Sequence, residues 1–206
     1  MKLKNYFVVT SSYWAFTLTD GALRMLVLLH FFKIGFSPFT LALIFVLYEV
    51  MGIFANLFGG WFSVKFGITR ILTIGISLQI VGLIFLSLLN TNWTIEFSIF
   101  WILIAQGISG VAKDLTKTAS KSAIKITASN FQSQLFKLVA LFTGSKNTMK
   151  GIGFFLGGIL LELLGFKISL WLMALCLFLI LLLSFSFLPK KLGKSSPSKS
   201  FRELFS

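Results

Sequence analysis

Three residues in this chain are of the wrong type for their surroundings: Asp20, Arg24 and Glu49 lie inside long apolar runs. A charged side chain near a bilayer centre costs at least about 2.5–3.5 kcal/mol to insert, so each needs a reason to be there. Asp20 and Arg24 are four apart, which puts them on one face of a helix within pairing distance. Pairing lowers the insertion cost, and an arriving ionic ligand breaks the pair. One reading is a substrate or coupling site, in which Arg24 holds an anion and Asp20 gates it or carries a proton. The other is a structural ion pair packed against neighbouring helices. Glu49 sits beside Tyr48 in the next run. An unpaired carboxylate in apolar surroundings favours its protonated form. That suits proton coupling, and it suits a structural hydrogen bond equally.

Other polar residues extend the set. His30 is near the outer end of the first run, and its residue type changes charge near neutral pH; it is a substrate contact or an inert interfacial side chain. Gln106 is followed by Gly107 and Gly110, so a ligand or a helix can approach its backbone and make it line a cavity. Asn56 and Gln79 are neutral and suit interhelical hydrogen bonds. Lys113 and Asp114 close the fourth run as an electropositive vestibule for anions or as a solvated helix end. With one histidine and one cysteine, Cys176, the chain offers no histidine metal cluster and no disulfide framework. It has no phosphate-binding lysine in a Gly-rich loop and no nucleophile elbow. An enzyme, a resident metal and a cofactor are therefore not expected.

The elements that must position these residues follow from composition. Of 206 residues, 56% are hydrophobic and 12% charged, where a soluble domain carries about 25% charged residues. Mean hydropathy is +0.92. This excludes an ordinary water-soluble globule, and the hydrophobicity excludes a disordered chain. The remaining class is an all-α membrane protein with six transmembrane helices, read at about 6–32, 39–64, 70–89, 93–112, 149–164 and 168–188. The first is not a cleaved signal peptide: it is too long, it contains Asp20 and Arg24, and no small-residue cleavage site follows. Glycines cluster at Gly52, Gly59 and Gly60, at Gly107 and Gly110, and at Gly151, Gly153, Gly157 and Gly158, where small residues let helices pack closely in lipid.

The net charge of +13 is distributed as topology determinants, not as a nucleic-acid face. Lys2 and Lys4, Lys65 and Arg70, the lysines from Lys113 to Lys150, and those from Lys190 onward all fall on one side of six spans. Lys33 and Lys167 fall on the other. The positive-inside rule then puts both termini in the cytoplasm. Residues 1–189 read as one six-helix unit. Within it, about 114–146 read as a cytoplasmic amphipathic helix on the membrane surface, with Phe131, Leu135, Leu138 and Val139 near helical spacing. Residues 190–206 read as a Lys- and Ser-rich cytoplasmic linker. Its end, Phe201-Arg202-Glu203-Leu204-Phe205, looks like the start of another helix, so a truncated central linker is expected.

Gly60-Trp61-Phe62-Ser63-Val64-Lys65-Phe66-Gly67-Ile68-Thr69-Arg70 resembles the cytoplasmic loop signature of the major facilitator superfamily. Gly60, Lys65, Gly67 and Arg70 match its conformational loop motif. Val64 stands where an acidic residue is usual and Thr69 where a basic one is, so the chain departs from the family pattern at the acid that supports its gating salt bridge. Residues 13–31, Tyr13-Trp14-Ala15 through Leu29-His30-Phe31, resemble the first helix of the ArsJ branch of organoarsenical efflux permeases, as does Gly110-Val111-Ala112-Lys113-Asp114-Leu115-Thr116-Lys117.

The resemblance implies the N-terminal six-helix half of such a transporter in the bacterial cytoplasmic membrane. Its cargo would be 1-arseno-3-phosphoglycerate, which glyceraldehyde-3-phosphate dehydrogenase forms from arsenate. It further implies arsenate resistance and a C-terminal six-helix half or second subunit as partner. On this view Arg24, Lys113, Gln106 and His30 serve the substrate, and Asp20 and Glu49 couple export to protons. The rival readings are a transporter of the same fold for a drug or an organic phosphate, and a non-transporting membrane scaffold.

Overall fold

A computed structural model describes residues 2–90, 92–128 and 135–189. These are helical: α1 (Lys2–Lys33), α2 (Pro38–Phe66), α3 (Ile68–Ser87), α4 (Ile95–Ala128) and α5 (Leu135–Phe187). No strand occurs among the described residues. The 53 residues of α5 turn at Gly165, whose φ of 74° and ψ of 177° leave the helical region. It is thus two helices, 135–164 and 166–187, so the described residues hold six helices, the number that the hydropathy pattern predicts. All five stretches are long and apolar enough to cross a membrane, and the fifth, Phe136–Phe187, holds 52 residues. At about 1.5 Å per residue that is roughly 78 Å, enough for two crossings of a core about 30 Å thick.

Local chemistry sets the ends. Ser37 caps α2, its hydroxyl accepting the Thr40 N–H at 3.1 Å, with Pro38 in the first turn where a missing N–H costs nothing. A single residue, Gly67, joins α2 to α3 at φ 92°, and its N–H donates to the Ser63 carbonyl at 3.1 Å. Only glycine takes that backbone conformation without strain.

Helix α1 lies between the two limbs of α5. Tyr6 donates to the Leu138 carbonyl at 3.0 Å and Trp14 to Ser145 at 2.8 Å. Ser12 meets Ser184 at 2.7 Å on the second limb. Helix α2 packs chiefly on α4, and α3 on α4 and α5. Phe16, Leu23, Leu26, Ile44, Leu72, Ile76 and Ile102 fill the space between them. Leu57, Phe155, Leu163, Trp171 and Leu175 point outward. In water such a surface aggregates, whereas in lipid it is the ordinary outer face of a spanning bundle.

Within the stretch read as an amphipathic helix, residues 114–128 continue α4 and 135–146 open α5, with 129–134 outside the described residues. A stripe of small and aliphatic residues lies beneath the α4 lysines. Ala112, Leu115, Thr116, Ala119, Ser120, Ala123 and Ile124 recur at steps of three and four and are buried, which keeps α4 packed instead of free. Phe142 of α5 is likewise buried and stacks on Tyr13 with ring centroids 4.9 Å apart. Phe131 and the linker at 190–206 lie outside the described residues.

Candidate functional site

Close helix approach comes first. At Gly110 the α4 backbone runs against the Tyr48 carbonyl oxygen of α2, and a Cβ there would land on that oxygen. At Gly157 the α5 backbone runs against the Ala22 carbonyl of α1 in the same way. Contacts without side chains between them bring α1, α2, α4 and α5 around one cavity of about 180 Å³. It is lined by Tyr13, Phe16, Thr17, Asp20 and Arg24 of α1 and Glu49 of α2. Lys113 and Lys117 of α4 and Lys146 and Lys150 of α5 complete it.

Tyr48 is the hub of the site. Its hydroxyl donates to Asp20 Oδ1 at 2.5 Å, with both groups buried. Its ring carries two cations: the Arg24 guanidinium lies 4.0 Å from the centroid and Lys113 Nζ 4.5 Å. A desolvated cation over an aromatic face gains about 2 kcal/mol. Arg24 Nη2 donates to Glu49 Oε1 at 2.7 Å, and Lys113 Nζ to Glu49 Oε2 at 2.8 Å. Lys113 also lies 3.3 Å from Asp114 Oδ2, and Lys117 2.7 Å from Asp114 Oδ1. The result is an alternating chain of charge in which each member relieves the insertion cost of the next.

The Tyr48→Phe substitution tests the hub. It leaves the ring under both cations but strips a buried carboxylate of its donor, which costs about 1–3 kcal/mol. We expect a lowered melting temperature with Arg24 and Lys113 still in place. An unchanged melting temperature would remove Tyr48 from the support of Asp20.

The structure sorts the residues singled out in the sequence. Asp20, Arg24, Glu49 and Lys113 come together. Asp20 and Arg24 are only loosely paired, Nε to Oδ2 at 3.9 Å, because each has a nearer partner. Glu49 is not the unpaired, buried carboxylate expected: its side chain is 53% exposed and it has two cationic partners. His30 stands apart, stacked on Phe166 at 4.0 Å just past the Gly165 turn, where it lines a different cavity with Ser37 and Trp93. Gln106 is fully buried, does not line the charged cavity, and its amide has no partner among the described residues.

In the loop motif, Gly67 makes the α2–α3 turn, Lys65 lies 4.5 Å over the Trp61 ring, Arg70 is exposed, and Gly60 has open space around it. Tyr48, Lys117, Lys146 and Lys150 were not assigned to the site from sequence. The lysines had a legible signal. Lys113 and Lys117, and Lys146 and Lys150, are spaced by four and therefore share a helix face.

Long apolar helices around a polar, multiply charged cavity define a polytopic membrane protein. A family model described as Major Facilitator Superfamily matches residues 6–206, and the chain belongs to that superfamily. Among solved structures it is similar to a mutant of the peptide transporter POT crystallised in complex with sulfate. The TM-score is 0.63 at 16% identity, over 98% of this chain and 43% of that one. That likeness speaks to fold alone, and this chain spans less than half the length of the structure it matches. No curated protein sequence matches it.

Proposed function

We propose that the protein carrying this chain exports an organic anion across the cytoplasmic membrane, with both termini of the chain on the cytoplasmic side. The observation that carries this reading is the cavity's charge. Five cationic side chains line it against three carboxylates, those of Asp20 and Glu49 in its wall and of Asp114, which holds Lys117 at 2.7 Å from beside it. In a low-dielectric bundle such an excess is costly unless an anion enters. Arg24 is suited to an oxyanion, because its planar fork donates two parallel hydrogen bonds. Lys113 adds a point charge beside it. Asp20, buried and held by Tyr48, is the carboxyl offered for proton coupling.

The finer reading is an organoarsenical efflux permease. Its support is the resemblance of residues 13–31 and 110–117 to that branch, together with a cavity chemistry that fits a phosphorylated, arsenylated glycerate. Gln106 and His30 lie outside the charged cavity, so their substrate role requires another state of the bundle. The same cavity chemistry fits other organic phosphates, and cells discriminate between them. The full-length gene is expressed with glyceraldehyde-3-phosphate dehydrogenase under arsenate challenge. Lower cell arsenic and improved growth, both requiring the dehydrogenase, are expected. Unchanged arsenic accumulation would overturn the arsenical cargo while leaving anion transport to be judged by a panel of organic phosphates.

A further inference from the structure

The Glu49 carboxylate is divided between two cations on two helices: Oε1 takes Arg24 at 2.7 Å and Oε2 takes Lys113 at 2.8 Å. This is the geometry with which an arginine and a lysine grip a bound oxyanion. We propose that Glu49 is the internal occupant of the anion site, and that a small dianion enters by displacing it. The inference rests on the anion-transport reading and gives Glu49 a role as competitor in place of the proton carrier expected from sequence.

Exposure separates the member that moves from those that stay. The Glu49 side chain is 53% exposed, whereas Arg24 and Lys113 are 18% and 19% exposed. Glu49 can swing out of the grip because its side chain is the least enclosed of the network. The two cations remain, held over the Tyr48 ring at 4.0 and 4.5 Å. Asp20 and Asp114, each 6% exposed, stay as fixed counter-charges.

Charge and volume name the cargo class. Lys146 and Lys150 face the cavity with no carboxylate partner among the described residues. Two unmatched ammonium groups call for two negative charges. The space that this chain encloses, about 180 Å³, is enough for a phosphate-sized head.

The test is equilibrium binding of inorganic phosphate and glycerol phosphate to the purified full-length protein at a pH where both are dianions. Glu49→Gln removes the competitor and is expected to bind at least about tenfold tighter. Glu162→Gln removes an equal charge outside the cavity, where Glu162 pairs with Lys33 at 2.8 Å, and its affinity is expected to change by less than about threefold. Should Glu49→Gln fail to fold, Glu49→Asp is used instead: its shorter carboxylate does not span both cations, and tighter binding is again expected. Wild-type binding with no gain in the Glu49 variant overturns the displacement. An equal gain in the Glu162 variant overturns it too, in favour of bulk charge. Wild type and Glu49 variants all indifferent to both probes would instead sink the anion reading beneath it.

Discussion

Arg24→Ala is expected to cut transport of the anionic cargo by at least about a hundredfold while the protein still reaches the membrane. Arg24 touches both carboxylates that line the cavity and the tyrosine between them. It donates to Glu49 at 2.7 Å, lies 4.0 Å over Tyr48 and stands 3.9 Å from the buried Asp20. Truncating one partner of a buried hydrogen-bonded charge pair costs about 2–5 kcal/mol of affinity, and a doubly charged cargo falls in the upper part of that range, about 3–5 kcal/mol. At about 1.4 kcal/mol per decade that is a factor of roughly 10²–10³. Arg24→Lys keeps the charge but loses the fork, and an intermediate loss of roughly tenfold is expected. Initial rates in proteoliposomes, normalised to reconstituted protein, check both. An Arg24→Ala protein exporting at the wild-type rate would leave Arg24 as a purely structural ion.

Gly110→Val is expected to damage fold and site together. A Cβ at this position falls on the Tyr48 carbonyl oxygen, 2.9 Å from its carbon and 3.1 Å from its Cα. All of these are backbone atoms, so nothing flexible can yield. Helices α2 and α4 must part, which draws Lys113 away from Glu49. Overpacking costs about 1–3 kcal/mol, and backbone against backbone belongs at the upper end. With about 2–4 °C lost per kcal/mol for a chain of this size, Tm falls by roughly 5–10 °C. Gly151→Ala is the control, since a Cβ there meets nothing within 4 Å; its Tm is expected to stay within about 2 °C of wild type, a glycine-to-alanine change in an open helix being at worst neutral. Equal Tm values for the two variants would show that the α2–α4 approach is not required.

The spans were legible because lipid leaves so little freedom. Long apolar runs broken by Gly35, Gly67 and Gly165 become helices turning at those same glycines, all three at positive φ. The continuation of α4 past residue 112 to Ala128 was not legible. Hydropathy averages its lysines with the alanines, serines and threonines that pack beneath them, and only the periodicity of the small residues carries the signal. The site was half legible. Asp20, Arg24 and Glu49 declare themselves by charge in apolar runs. Tyr48 does not, because a tyrosine in a membrane helix is unremarkable until its ring is found under two cations. Lys146 and Lys150 were absorbed by the topology argument, where a lysine counts as a charge without a direction. Which carboxylate each cation chooses depends on helix rotation, and spacing along one helix cannot supply it. Arg24 accordingly prefers Glu49 on the neighbouring helix to Asp20 on its own.

Counterflow in proteoliposomes of the full-length protein tests the central claim most directly. A panel of dianionic organic phosphates is set against neutral sugars of similar size, with wild type beside Arg24→Lys. The account predicts exchange of the dianions, none of the sugars, and a roughly tenfold slower rate in the variant. Exchange of neutral sugars at rates equal in wild type and variant would contradict it.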